Sequence, residues 1–189
     1  MLSGRLSLLH RGVYAVGAGP ETNERRWAAA VLACGEGAAL SHLSAAALWE
    51  LRLVDPRVID VSVRSRSTHA REGLRVHRPR LLAPEDVTCC RAIPVTTVAR
   101  TLIDIAGIVS RRSVERALDE AEYLALLHEP QLDATLMRHQ ASAGAARLVD
   151  CLSRHQPGTT RTKTPLEEAI VTPGLRLPAI AACASRGAR

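Results

Sequence analysis

Apolar and polar residues first alternate in "GRLSLLHRGVYAVG", residues 4–17, where Leu6 and Leu8, then Val13 and Ala15, recur at period two. Arg5, Ser7, Tyr14 and Val16 fall between them. His10-Arg11-Gly12 supplies the bend, since glycine tolerates the positive φ of a tight reversal. This predicts a β-hairpin, which is marginal alone in water and must pack on another element. Helical periods follow in "RRWAAAVLACG", closed by Gly35, and in "LSHLSAAALWEL". In the second, Ser41 is the expected N-cap, and Leu43, Ala46, Ala47 and Leu51 share one face. "VIDVSV" offers Val58 or Ile59, Val61 and Val63 for burial. "LRVHRPR" sets Leu74 and Val76 on one face and Arg75 and His77 on the other. The polar residues 64–73 between them read as a hairpin loop, "DVTCC" as a third short strand, and Pro94 as the end of the stretch.

The second half is helical. "TTVARTLIDIAG" starts at Thr96 or Thr97 and stops at Gly107, with Leu102, Ile105 and Ala106 inward. "RRSVERALDEAEYLALL" carries the stripe Val114, Ala117, Leu118, Ala121 and Ala125, with Leu124 as a further candidate. Arg111–Glu115 and Arg116–Glu120 are i,i+4 pairs on its wet side. "PQLDATLMRHQ" places Pro130 at a helix start, and "AGAARLVDCLSRH" is a further helix ending near Pro157-Gly158. "TRTKTPLEEAI" has a capping box, Thr164 to Glu167, after which the final nineteen residues contain no Asp or Glu and no packing pattern. The pattern predicts an α/β (α+β) fold: a small antiparallel sheet packed with helices and a helical C-terminal half.

Charge changes this picture. The net charge is +6, but it is unevenly placed. Residues 1–63 balance, residues 64–100 carry eight basic against three acidic side chains, and residues 101–136 carry three against seven. Lys163 is the only lysine, so arginine abundance reflects coding bias as well as function. The localised ribbon "RSRSTHAREGLRVHRPR" still has the form of a phosphate footprint: Arg64, Arg66, Arg71, Arg75, Arg78 and Arg80 are opposed only by Glu72. Guanidinium groups suit phosphate because their planar fork donates two parallel hydrogen bonds. His77 belongs to the same ribbon, and Arg5, His10 and Arg11 on the hairpin are further candidate DNA contacts. None of these side chains promises base readout.

Other chemistries fare worse. Cys34, Cys89, Cys90, Cys151 and Cys183 form no C-x-x-C pair and no zinc spacing, which fits a reduced, cytoplasmic protein. No apolar run is long enough to span a bilayer. Ser41-His42 has no nucleophile elbow and no acid placed by spacing, so it reads as a helix start rather than a hydrolase site. Glu115, Asp119 and Glu122 fall at i, i+4 and i+7 but lack a histidine or loop ligand nearby in sequence, so they read as a solvated face. Gly17-Ala18-Gly19-Pro20 opens no helix and is no dinucleotide loop. No cofactor, no metal and no catalytic residue is expected, and the chain does not read as an enzyme.

In order, "LHRGVYAVG", "AAVLACGEGAALSHLSAAALWEL", "IDVSV…GLRVHRPRLLAPEDVT", "IPVTTVARTLIDIA" and "VERALDEAEYLALL" resemble the actinobacterial AbiEi antitoxin-like family, over roughly residues 4–170. Members often carry a Vsr-like nuclease domain at the C-terminus. The resemblance implies that residues 1–19 are the wing hairpin remnant of a winged helix-turn-helix, residues 20–157 an α+β middle domain, and residues 158–189 the truncated start of the nuclease. Its recognition helices would then be missing. Glu167 matches the acidic position of the first nuclease helix, but no acid follows Glu168, and one carboxylate cannot hold a catalytic Mg²⁺. The implied function is a DNA-binding transcriptional regulator of antitoxin type, catalytically inactive, with weak phosphate-dominated DNA binding and a cognate toxin as a further partner. The alternative is a protein-interaction module acting through the acidic helix 111–127, or a decayed fragment with no independent activity.

Overall fold

A computed structural model describes residues 6–17, 20, 22–51, 57–64 and 72–155. Arg5, Arg66, Arg71 and residues 158–189 lie outside the described residues. The fold is α+β. Its elements run β1 (Leu6–His10), β2 (Val13–Val16), α1 (Asn23–Cys34), β3 (Ala39–Leu40), α2 (His42–Leu48), β4 (Ile59–Ser62), β5 (Leu74–His77), β6 (Val87–Cys90), β7 (Ile93–Thr96), α3 (Val98–Ala106), α4 (Arg111–Tyr123), α5 (Glu129–Arg138) and α6 (Ala143–Arg154).

The expected hairpin is present as an antiparallel pair packed on α1. Its faces differ from expectation. The register pairs Leu8 with Tyr14 and Ser7 with Ala15, with an irregularity at Leu9. Leu8 therefore shares the outer face with Tyr14 and Val16, and all three are exposed, while Ala15 is buried and Val13 packs against the core. Periodicity fixed the alternation within each strand, but cross-strand register depends on the turn and its bulge.

The second sheet has the order β5-β4-β3-β7-β6 and is mixed. Strands β4 and β5 pair in parallel, with Ile59 opposite Leu74, Asp60 opposite Arg75, Val61 opposite Val76 and Ser62 opposite His77. The expected hairpin over residues 64–73 is thereby corrected, since parallel neighbours need a crossover. Side chains alternate at period two in both kinds of ladder, so the sequence pattern could not separate them. Two strands escaped the pattern. Strand β3 is only two buried residues, and β7 contains Pro94. Proline is tolerated there because β3 meets β7 at the single pair Leu40–Val95. Arg91 and Ala92 turn β6 into β7 with φ of 49° and 61°, and Arg91 is held by ion pairs to Glu24 and Glu50.

Two apolar clusters form the core. One lies between α1 and the sheet, with Trp27, Ala30 and Val31 against Leu40, Ile59, Val61 and Val95. The other surrounds α3, where Leu102, Ile103 and Ile105 meet Val114, Leu118, Leu132 and Leu148. Helix α2 and the turn after it bridge them: Ala45 and Leu48 belong to the first cluster, Ala46 and Leu51 to the second. Of the face expected, Leu43, Ala46 and Leu51 share the second cluster, whereas Ala47 packs against the first. The helix is short, ending at Leu48 before Glu50 takes a φ of 61°. Helices α3 and α4 have the expected starts, with the side chains of Thr97 and Ser110 accepting from the backbone N–H of Arg100 and Ser113. Tight packing of α6 on α3 leaves no room for a Cβ at Gly144.

Candidate nucleic-acid interface

Strand β5 is one edge of the mixed sheet. Leu74 and Val76 follow Ile59 and Val61 toward the α1 core, so Arg75 and His77 share the opposite face with Asp60 and Ser62. Parallel pairing has a consequence that a hairpin would not. The carboxyl ends of β4 and β5 lie side by side, joined by the Val63 N–H donating to the His77 carbonyl at 3.0 Å. Arg78, the residue after β5, and Arg64, two residues after β4, therefore leave the sheet at the same end, with Arg80 two residues beyond Arg78. All three are exposed. Arg75 is also 55% exposed while its guanidinium reaches Asp60 Oδ1 at 3.4 Å.

His77 is turned inward. Its Nε2 lies 2.7 Å from Asp60 Oδ1, and its ring stacks on His42 with centroids 3.6 Å apart. Asp60 is fully buried, and its backbone N–H donates to Ser44 Oγ. His10 and Arg11 sit at the tip of the β1–β2 hairpin, on a separate sheet from Arg75.

Beneath the edge runs a buried polar layer that sequence reasoning missed. His42 opens α2 with a φ of 51°, and its Nδ1 is 3.0 Å from Ser41 Oγ and 4.0 Å from Asp104 Oδ2. Ser41 spends its hydroxyl on His42 and makes no side-chain cap. An acid partner for Ser41-His42 thus exists in Asp104, but hydroxyl and carboxylate face the same ring nitrogen. A serine triad needs them on opposite nitrogens.

Arg100 donates to Asp104 Oδ1 through Nε (3.0 Å) and Nη2 (2.8 Å), and its Nη1 donates to the Leu81 carbonyl. Asp86 accepts from Arg138 Nη1 (2.7 Å) and the Ala83 N–H (2.9 Å), and its Oδ2 lies 2.8 Å from His139 Nε2. The available signal was Arg100 and Asp104 at i,i+4 inside an otherwise apolar helix, a spacing that pairs them without solvent. A cavity of about 360 Å³ opens onto this layer, lined by His42, Arg80, Arg100, Asp104, Arg138 and His139 among others. Arg80, Arg100 and Arg138 line it with Asp104, and Asp86 pairs with Arg100 and Arg138 beside it, so the guanidinium groups exceed the carboxylates by one. This wall joins Arg80 of the edge to the interior.

Burial pulls the His42 pKa below its ordinary value. Asp104 and Asp60 oppose that shift, and His77 and Arg100 add to it. A histidine that resists protonation in the fold leaves the unfolded chain binding more protons as pH falls below about 6.5. Stability is therefore expected to decline from neutral pH into that range. His42→Gln should flatten this part of a urea-unfolding profile, and an unchanged slope would contradict the assignment.

Compared with known proteins, the chain matches no family model and no curated sequence. Among the described residues, no helix is long and apolar enough to cross a membrane.

Proposed function

We propose that this chain binds the phosphates of DNA through the arginine-bearing end of β4 and β5, as a transcriptional regulator of antitoxin type. The observation that carries this reading is that exposed Arg64, Arg78 and Arg80 follow the carboxyl ends of the parallel pair, with half-exposed Arg75 on the face of β5 that leads to them. Guanidinium groups held at one end of two strands raise the local positive potential, which a phosphate lowers by bridging them. Arg80 also lines the cavity, so this end of the sheet opens onto it. The residues involved contact backbone rather than base edges, so binding is weak and sequence-poor.

The triple variant Arg64→Ala, Arg78→Ala, Arg80→Ala tests the assignment while sparing Arg75, which also serves Asp60. Its affinity for a mixed-sequence duplex should fall. The log–log salt slope should shrink by up to about 0.9 for each phosphate contact removed. Wild-type affinity and slope in the variant would sink the site.

A second reading, a protein-interaction module, draws on a different surface. Leu8, Tyr14 and Val16 present an apolar face on the outer side of the hairpin. Capture of a partner that persists after nuclease treatment, and is lost in Tyr14→Ser, would favour it.

A further inference from the structure

Asp119 and Glu122 stand one turn apart on α4, where that helix meets the end of α6. Their sequence neighbour Glu115 is engaged elsewhere, accepting from Arg111 Nε at 2.7 Å. In its place the fold brings His155, the C-cap residue of α6. Its Nε2 lies 3.4 Å from Asp119 Oδ1 and 3.5 Å from Glu122 Oε1, and one ligand atom from each residue falls within 4.8 Å of the others. The histidine that the acidic face lacked in sequence is thus supplied from 33 residues beyond Glu122. The expectation of a merely solvated face is corrected, because Asp119 is buried.

His155 is an independent indication of a ligand. Its side chain is 5% exposed, and neither ring nitrogen has a hydrogen-bond partner among the described residues. A buried polar atom left unsatisfied is costly, and an imidazole aimed between two carboxylates can recover in two ways. It can take a proton and bond to them, or it can offer its lone pair to a cation they share. A charge-assisted hydrogen bond would close to about 2.7–2.9 Å, shorter than either separation here. Ligands about 2.0–2.2 Å from a tetrahedral ion stand roughly 3.3–3.6 Å from one another, which the two histidine–carboxylate spacings match.

We propose that Asp119, Glu122 and His155 form a binding site for a divalent transition-metal ion of the zinc type. One imidazole with two carboxylates suits such an ion better than an all-oxygen site for calcium or magnesium. Glu122 is one-third exposed, which gives the ion an entry path and leaves room for water as a further ligand. Bound there, the ion clamps α4 to the end of α6. The site is remote in sequence from the arginine edge and stands or falls independently of DNA binding.

The test uses the full chain without a purification tag, stripped by a chelator and titrated with ZnCl₂ by calorimetry and with Co²⁺ by visible absorption. One equivalent should bind and raise the melting temperature, and the Co²⁺ spectrum should lack the thiolate charge-transfer band that cysteine ligands would give. Even outer partners of a metal site are worth about tenfold, so Glu122→Gln and His155→Ala should each weaken binding by more than that. Glu115→Gln should not. Glu122→Gln is the safer variant for folding because that side chain is partly exposed. The proposal is overturned by an absence of saturable one-to-one binding, by a thiolate band, or by wild-type affinity in both ligand variants. A His155→Ala destabilisation of the same size with and without zinc, and no zinc effect on wild-type melting, would identify an ion pair only and overturn it equally.

Discussion

Replacing Asp86 with alanine is expected to remove about 3–5 kcal/mol of folding stability. Asp86 is fully buried, yet three residues from α5, its end and the preceding loop converge on it: Arg138 and His139 at 2.7 and 2.8 Å, and the Ala83 N–H at 2.9 Å. Arg100, itself buried, places Nη1 3.6 Å from the same carboxylate. Without Asp86, Arg100 keeps only Asp104 as a counter-charge, and Arg138 loses its buried partner. Removing one member of such a cluster leaves an uncompensated charge in low dielectric, which is where the large cost arises. For a chain of this size that corresponds to a melting temperature lower by roughly 10 °C. A urea titration of Asp86→Ala checks this, and a loss below about 1 kcal/mol would mean that water or rearrangement satisfies the cluster.

Gly144→Ala should destabilise the fold by about 1–3 kcal/mol, against the usual rule for helices. In an open helix, alanine is better than glycine by about 1 kcal/mol because it restricts the unfolded chain. Here the added Cβ would stand 2.3 Å from the Ile103 carbonyl oxygen and 3.3 Å from its carbon. Both atoms are backbone of α3, so the clash is relieved only by moving α6 off the main core cluster. Gly107→Ala is the control, since its Cβ would meet nothing closer than 3.4 Å. Thermal melts of the two variants should diverge, with Gly107→Ala near wild type. A stabilised Gly144→Ala would show that the two helices are less closely held than this packing requires.

Local signals carried much of the fold. Thr97 caps α3 where the sequence places its start, and Ser110 and Ser142 do the same for α4 and α6, whereas Ser41 makes no side-chain cap. The stripe Val114, Ala117, Leu118 and Ala121 is buried as its 3.6-residue period requires. Ala125 leaves the helix instead, with a φ of 53°. Strand partners were not readable in the same way. Arg75 and His77 were correctly set opposite Leu74 and Val76, but nothing in period two says whether β4 runs with or against β5. The arginine ribbon is visible as charge, whereas the placement of Arg64, Arg78 and Arg80 at the carboxyl ends of two parallel strands is not. His42, Arg100, Asp104, Arg138 and His139 come from α2, α3 and the end of α5, and only the folded chain brings them to one cavity. His155 shows the same limit: Asp119 and Glu122 share a helix turn, while the imidazole between them comes from the end of α6.

The most direct measurement is fluorescence anisotropy of the full chain with a labelled mixed-sequence duplex across a salt series. Three exposed arginines at one sheet end, with Arg75 on the adjoining face, predict binding at low salt that weakens linearly in log–log form, with a slope between about −2 and −4. No binding at low salt, or binding insensitive to salt, would contradict the claim that this edge grips phosphate.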